Sequence, residues 1–471
     1  MINELKNQGY QVYEKSVSCA QDTVCAIVKK GTAKYLAVKG AKVDLFKGTQ
    51  NGNVLICDLI PENAQALHVL FPYTKPARLP KKGISIGLGD RLGISTPGHI
   101  QAVAETGVFP IFAQQSIREL NLTNRTFYDV IAAATFGVFE KGYTGGYAAD
   151  GDHLKTTPEI EYALSAGFTL ITLDCSEHIS AKHLDAEEDA AEKEYLLLPE
   201  DVRAYYETKY LGKEFPVVGQ FTKSELRRLV LTFHAAICHV KTCWKFIQET
   251  VPGAVDIELS IDETPMSTSP KAHFLIAKEM ADKEIPLWSC APRFYGKFEK
   301  GIDYIGDLET FDADFIQHEK IAECFGYKLS VHSGSDKFSI YPIVSRYAKE
   351  NIHVKTSGTS WLETLRLVAM ENPALFQRAY KYARACFLEA KKYYVITTNE
   401  EDIPALEGED MVQYLDQIAA RQMLHITYGQ LITQDWFFTG MLETVRNAEE
   451  KYYGCLEKHI FRHIAPFIHG N

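Results

Sequence analysis

Several features that would fix a function class are missing from this sequence. None of the ten cysteines (19, 25, 57, 175, 238, 243, 290, 324, 386 and 455) forms a C-x-x-C pair. That argues against a thiolate zinc site and a disulfide framework, and makes a cytoplasmic enzyme with reduced thiols the expectation. No apolar run approaches the roughly 18 residues of a membrane span. The first residues, MINELKNQGYQVYEK, lack the apolar core of a secretion signal. Basic residues are in deficit, 50 Lys and Arg against 61 Asp and Glu, for a formal charge of -11. A clustered basic face for nucleic acid is therefore not expected. The nucleotide signature G-x-x-x-x-G-K-[ST] is absent, and GLGDRLG at 87–93 lacks G-x-G-x-x-G spacing. No internal repeat or low-complexity segment interrupts the chain.

The sequence does have globular composition, 46% hydrophobic and 24% charged over 471 residues, too long for one ordinary core. DTVCAIVKKGTAKYLAVKG near the start reads as a hairpin with a Lys/Gly turn, and KPARLPKKG at 75–83 as a linker. Eight short apolar runs follow, each ending in polar residues: 83–93, 108–116, 145–153, 168–178, 254–263, 285–294, 328–337 and 352–361. Most precede helical periodicity. Buried strands alternating with helices predict an α/β fold, a closed (β/α)8 TIM-type barrel. The expected organisation is an N-terminal α+β extension over 1–78, the barrel over 79–365 with a helical insertion at about 183–250, and a C-terminal helical region over 366–471. Within that region one helix is expected near 440–456. The charge run 185–194 reads as a solvated helix face.

In such barrels chemistry sits at the C-terminal strand ends. Those ends carry Asp90 and Arg91, Gln114 and Gln115, Asp150, Asp152 and His153, Asp174, Glu177 and His178, Asp262 and Glu263, Arg293, His332, Ser335, Asp336 and Lys337, then Lys355, Ser357 and Thr359. Mixed histidine and carboxylate sets suit a divalent metal such as Zn, Mn, Co, Ni or Mg. His153 and His332 each directly follow a strand and are the first expected ligands. Glu258 sits inside an apolar strand, where an unpaired carboxylate is costly; it is the third, and Asp174 a fourth or alternative. His353 opens its strand, at the wrong end, and His234 and His239 read as packing or surface residues.

The runs GLGDRLGISTPGH, FAQQSIREL, YAADGDHLKT, SIDETPMSTSPKAHF, HSGSDKFSIYP and HVKTSGTSWLE resemble the tagaturonate epimerase family across about 80–365, more faintly beyond. The resemblance implies a metal-dependent isomerase of hexuronate breakdown that interconverts D-tagaturonate and D-fructuronate, with tagatose and fructose as further substrates of some relatives. A more distant likeness to class II metal-dependent aldolases implies separate roles for two neighbours, Asp152 as acid/base and His153 on the metal. It places Glu258, His332, Asp174, Lys355 and Ser357 at matching motif positions. The sixth strand, LWSCAPRF, departs by lacking a histidine, which leaves a third ligand to Glu258 or Asp174.

The expected catalytic set is Asp152 and Glu258, with Asp262 or Glu263 as alternative bases. Arg293 is the expected clamp for a substrate carboxylate, with Arg91 and Lys337 as rivals; Gln115, Lys355 and Ser357 are expected to bind the sugar. A true aldolase, an accessory subunit and a sugar-binding protein are the competing readings. The expected partner is a small sugar or uronate, with neither nucleic acid nor membrane; oligomeric state is left open.

Overall fold

The computed structural model describes residues 1–348, 351–356 and 358–468. All eight apolar runs form strands: β1 (Ser85–Leu88), β2 (Phe109–Gln115), β3 (Ala148–Leu154), β4 (Leu170–Asp174), β5 (Asp256–Ile261), β6 (Leu287–Pro292), β7 (Lys328–Val331) and β8 (Ile352–Thr356). They close into one parallel barrel, in which β8 meets β1 through pairs such as His353 with Ser85. Outward-facing residues such as Ile171, Leu259 and Leu329 join the surrounding helices in one large core.

The N-terminal hairpin pairs Thr23–Lys30 with Ala33–Gly40 inside a six-stranded sheet. This extension shares its core with the barrel: Ile27, Leu36 and Leu67 pack with Phe136 and Phe139 of the barrel helix Phe127–Lys141. The segment 75–83 is not a free linker. Arg78 grips Asp256 at the start of β5 through Nε at 3.0 Å and Nη2 at 2.5 Å, and Trp288 Nε1 donates to Pro80 O at 3.2 Å. Leu79 packs against Ile111, Ala148, Leu170 and Trp288. The prolines and lysines that suggested a linker here lie across the barrel floor.

Between β4 and β5 stand the helices Glu188–Leu196, Glu200–Tyr210 and Lys223–Thr250. The charge run is exposed at Asp185, Glu187, Glu188 and Asp189. After β8, helices from Thr359–Glu371 onward build a second core around Trp361, Tyr380 and Phe437. The helix expected near 440–456 is two, Asp435–Asn447 and Glu449–Ile468. Lys29 of the N-terminal hairpin holds the break: its Nζ donates to Arg446 O at 2.7 Å and pairs with Glu449 at 3.0 Å. The last helix then lies on the helix Thr96–Val103, where a side chain at Gly98 would strike Leu456.

The barrel floor holds an unusual charge. Lys328 is fully buried over the Trp288 ring at 4.4 Å, with Ser85 Oγ at 3.4 Å as its hydrogen-bond acceptor. Burial drives its pKa down to about 7. A lowered lysine pKa means the folded state binds fewer protons than the unfolded chain from about pH 7 upward, so wild-type stability rises with pH up to the unfolded value. Lys328→Met is therefore expected to stabilise the protein at neutral pH by about 1–3 kcal/mol. Its advantage in denaturant titrations shrinks as the pH approaches 10.

Candidate active site

The barrel interior is polar where such barrels usually stack branched apolar side chains. Thr172 of β4, Glu258 of β5 and Ser289 of β6 lie side by side in register. Lys355 enters from β8. Its Nζ stands 2.7 Å from Asp150, 2.6 Å from Asp152 and 3.0 Å from Glu258, and donates to Thr172 Oγ1 at 2.7 Å. Glu258, with no solvent exposure, also takes Ser289 Oγ at 2.5 Å and Thr172 Oγ1 at 3.1 Å, and pairs with His332 Nε2 at 2.7 Å. An ammonium among three carboxylates stays charged, and the Lys355 pKa lies well above normal: burial opposes the charge, and Asp150, Asp152 and Glu258 more than offset it. The carboxylates respond unequally. Burial pushes Asp150 up to about 6. Burial also acts to raise Asp152, but Lys355 and then His153 outweigh it and bring that group down to about 2.

Asp152 and His153 are adjacent, so a regular strand would send them to opposite faces. The strand is not regular there. Between the pairs Ile171–Gly151 and Leu173–Leu154, β3 advances three residues while β4 advances two. The extra residue is a bulge. His153 absorbs it in the left-handed region at φ 54°, a conformation that costs a non-glycine residue roughly 1–2 kcal/mol. Its ring stays near the site: Nε2 is 3.8 Å from Asp152 and Nδ1 3.8 Å from Asp174. Gly151 faces outward, and a side chain there would press on Leu154, Ala163 and Ile171.

The residues present fit a divalent cation. His153, Asp174 and Glu263 offer ligand atoms all within 4.8 Å of one another. The His332 ring lies 5.1 Å from that of His153, edge to face. His153 Nδ1 is buried without a hydrogen-bond partner among the described residues, an arrangement that native proteins rarely leave unanswered. Asp262 stands 3.2 Å from His332 Nδ1 and is oriented by the Ser260 hydroxyl at 2.6 Å. Burial opposes a charged His332, but Asp262 and then Glu258 push its pKa up to about 10. Glu258, expected as a ligand, is outside the His153 group. Its oxygens are taken by Lys355, Thr172, Ser289 and His332, which makes it the anchor of the interior layer.

The other expected residues divide. Gln115 is fully buried, with neither amide atom hydrogen-bonded among the described residues. Arg293 does not line the mouth cavity; its guanidinium donates to the backbone carbonyl of Thr264. Lys337 is spent as well, donating to Glu299 O at 2.8 Å, Ile302 O at 2.6 Å and Ser335 O at 2.9 Å. Neither is presented to a substrate carboxylate. Ser357 lies outside the described residues. Asp90 organises the first loop, accepting from the backbone of Leu92, Gly93 and Ser95. Arg91 enters the mouth, a cavity of about 970 Å³ lined also by Asp152, His153, Asp174, Glu263, Lys300 and Tyr428. Lys300 and Tyr428 were not singled out in the sequence, since neither ends a barrel strand. Thr172 and Ser289 carried a fainter signal, a small polar residue inside an apolar strand.

A second histidine group, Asp336 with His459 and His463, is a latch. Arg421 Nη2 donates to both Asp336 oxygens at 3.1 and 3.0 Å, and His463 Nε2 accepts from the Asp336 backbone N–H at 3.0 Å. The arginine charge and the occupied nitrogen disfavour a cation there. The group ties the last helix and the helix Ile418–Ile426 to the loop after β7.

A closed parallel barrel with acids, histidines and cations gathered at its C-terminal mouth defines a TIM-barrel enzyme suited to polar chemistry on a small substrate. The tagaturonate epimerase family model matches residues 13–467. A tagaturonate/fructuronate epimerase of Thermotoga maritima is 38% identical over 97% of this chain and 97% of its own. The native crystal structure of a fructuronate-tagaturonate epimerase from Cohnella laeviribosi superposes with a TM-score of 0.94 at 44% identity, covering 99% of this chain and 98% of that one. A glycerol complex of the same enzyme gives 0.94 at 43% identity, with the same coverage. The chain belongs to the tagaturonate epimerase family.

Removing the central ammonium leaves three buried carboxylates uncompensated. Lys355→Met is expected to cost about 3–5 kcal/mol in denaturant unfolding. A loss below 1 kcal/mol would mean that the carboxylates hold their places without it.

Proposed function

We propose that this chain is a cytoplasmic isomerase that interconverts D-tagaturonate and D-fructuronate, with tagatose and fructose as further substrates, by breaking and remaking a carbon–carbon bond. The observation that carries the reading is Asp152, an acid on the mouth cavity held by Lys355 and flanked by His153.

The two uronates differ at C4, which is β to the ketone at C2 and β to the carboxylate. Its hydrogen is acidified by neither, so enolisation does not invert it. Cleavage of the C3–C4 bond does. Asp152 takes the proton of the C4 hydroxyl. The C3–C4 electron pair passes to C3, giving an enediolate on the ketone half, and C4 becomes an aldehyde. The aldehyde turns, C3 attacks its other face, and Asp152 returns the proton. Asp262 and Glu263 are the alternative bases. His153, Asp174 and Glu263, with His332 beside them, would hold a divalent metal (Zn, Mn, Co, Ni or Mg). When bound, it supplies Lewis-acid stabilisation of the ketone and enediolate oxygens. Gln115, its amide buried and without a hydrogen-bond partner among the described residues, is suited to a sugar hydroxyl. Lys355 and Glu258 act by fixing Asp152 and His332.

Incubation with D-tagaturonate is expected to give D-fructuronate as a six-carbon product; accumulation of three-carbon pieces instead identifies a lyase. Solvent deuterium should not enter C4. Asp152→Asn should lower kcat by about 100-fold or more at normal metal content, and a chelator should abolish turnover. Activity that survives chelation removes the metal from the scheme.

A further inference from the structure

Four cations line the mouth, Arg91, Arg118, Lys155 and Lys300, among carboxylates that include Glu119, Asp174 and Glu263. Lys155 is paired with Asp174 and Glu177, and Arg118 donates to the Tyr394 hydroxyl. Arg91, in the loop after β1, donates from Nε to Glu119 at 2.8 Å and stacks its guanidinium 3.7 Å above Tyr428. Its Nη1 is buried without a hydrogen-bond partner among the described residues. Lys300, beyond β6, lines the same cavity, and its ammonium donates to the Ser333 hydroxyl at 2.9 Å rather than to a carboxylate. Burial, and then the charge of Arg91, lower the Lys300 pKa, with Glu263, Asp262 and Glu119 opposing in part; an anion placed beside the two cations relieves both effects.

The lysine is held in advance. Lys337 donates to Glu299 O and Ile302 O on either side of it. Arg421 Nε donates to Gly301 O at 2.7 Å, and Gln422 Nε2 to Glu299 at 2.9 Å and to Lys300 O at 3.4 Å. A backbone fixed from both sides and an ammonium without an ion-pair partner among the described residues make a preorganised anion site, whose ordering cost is met on folding rather than on binding. Lys337 is thus a positioning residue for Lys300.

We propose that Arg91 and Lys300 form the site for the carboxylate of the uronate substrate. The assignment rests on the ketouronate reading above. It has a consequence for that chemistry. Cleavage between C3 and C4 leaves the carboxylate on the aldehyde half, the half that must turn. A clamp on that carboxylate keeps the fragment bound while rotation about its C4–C5 bond presents the other face of the aldehyde. The same pair disfavours neutral sugars, which leave desolvated donors unpaired.

The test compares Lys300→Met, Lys300→Arg and the wild type. Calorimetric binding of D-gluconate and of its neutral counterpart D-glucitol reads the charge preference without turnover. The wild type should favour gluconate by about tenfold or more, a difference of about 1.4 kcal/mol. Lys300→Met should lose that preference and Lys300→Arg keep most of it. In parallel, kcat/KM for D-tagaturonate should fall about 30-fold or more in Lys300→Met, with the ratio of tagaturonate to tagatose falling alongside and three-carbon fragments escaping. A wild type without preference, or a Lys300→Met protein that binds both ligands as the wild type does or loses both equally, overturns the clamp. A wild type that prefers gluconate yet epimerises no uronate overturns the function while leaving the clamp in place.

Discussion

One ammonium in the barrel interior sets the terms for everything above it. Lys355 lies within 3.0 Å of Asp150, Asp152 and Glu258, and none of these groups would keep its charge at that depth alone. Buried ion clusters gain little net stability over a well-packed apolar core. What this one provides is position. Glu258 is aimed so that it also meets His332, and Asp152 so that it faces the mouth. Through these two contacts a packed interior layer fixes the direction of His332 and of an acid that lines the mouth.

The fold was legible because buried parallel strands announce themselves as apolar runs with polar ends, and eight were present. The site was legible only in part. Asp152, His153, Asp174, His332 and Lys355 end or follow strands, where composition alone draws attention. Their partnerships are tertiary. No local signal tells that Glu258 meets Lys355 from a strand 97 residues away, or that β3 carries a bulge. Lys337 looked like Lys355 in sequence, a lysine just beyond an apolar run, but three backbone carbonyls claim it. Arg293 and the 75–83 segment illustrate the same limit: charge and proline suggested availability, and packing consumed it.

The additions at the two ends of the chain act as parts of the barrel. The extension shares its core with the helix Phe127–Lys141, and the floor segment closes the end away from the chemistry. On the opposite face the C-terminal helices bring Tyr428 under Arg91 and pin the 299–302 segment through Arg421 and Gln422. The mouth is therefore built by two regions of the chain, the barrel and the C-terminal helices, while the N-terminal extension supports the barrel from its side and floor.

The closure of β1 on β8 has a bearing on how the protein is made. Ser85 and His353 touch across 268 residues, so the first strand waits through most of translation for its neighbour. The final helix, which latches the loop after β7 through His459 and His463, emerges later still. Contacts of such long range form slowly and leave apolar strand edges bare in the meantime. The barrel therefore closes only once residues far apart in the chain have met, and its strand edges stay uncovered until then.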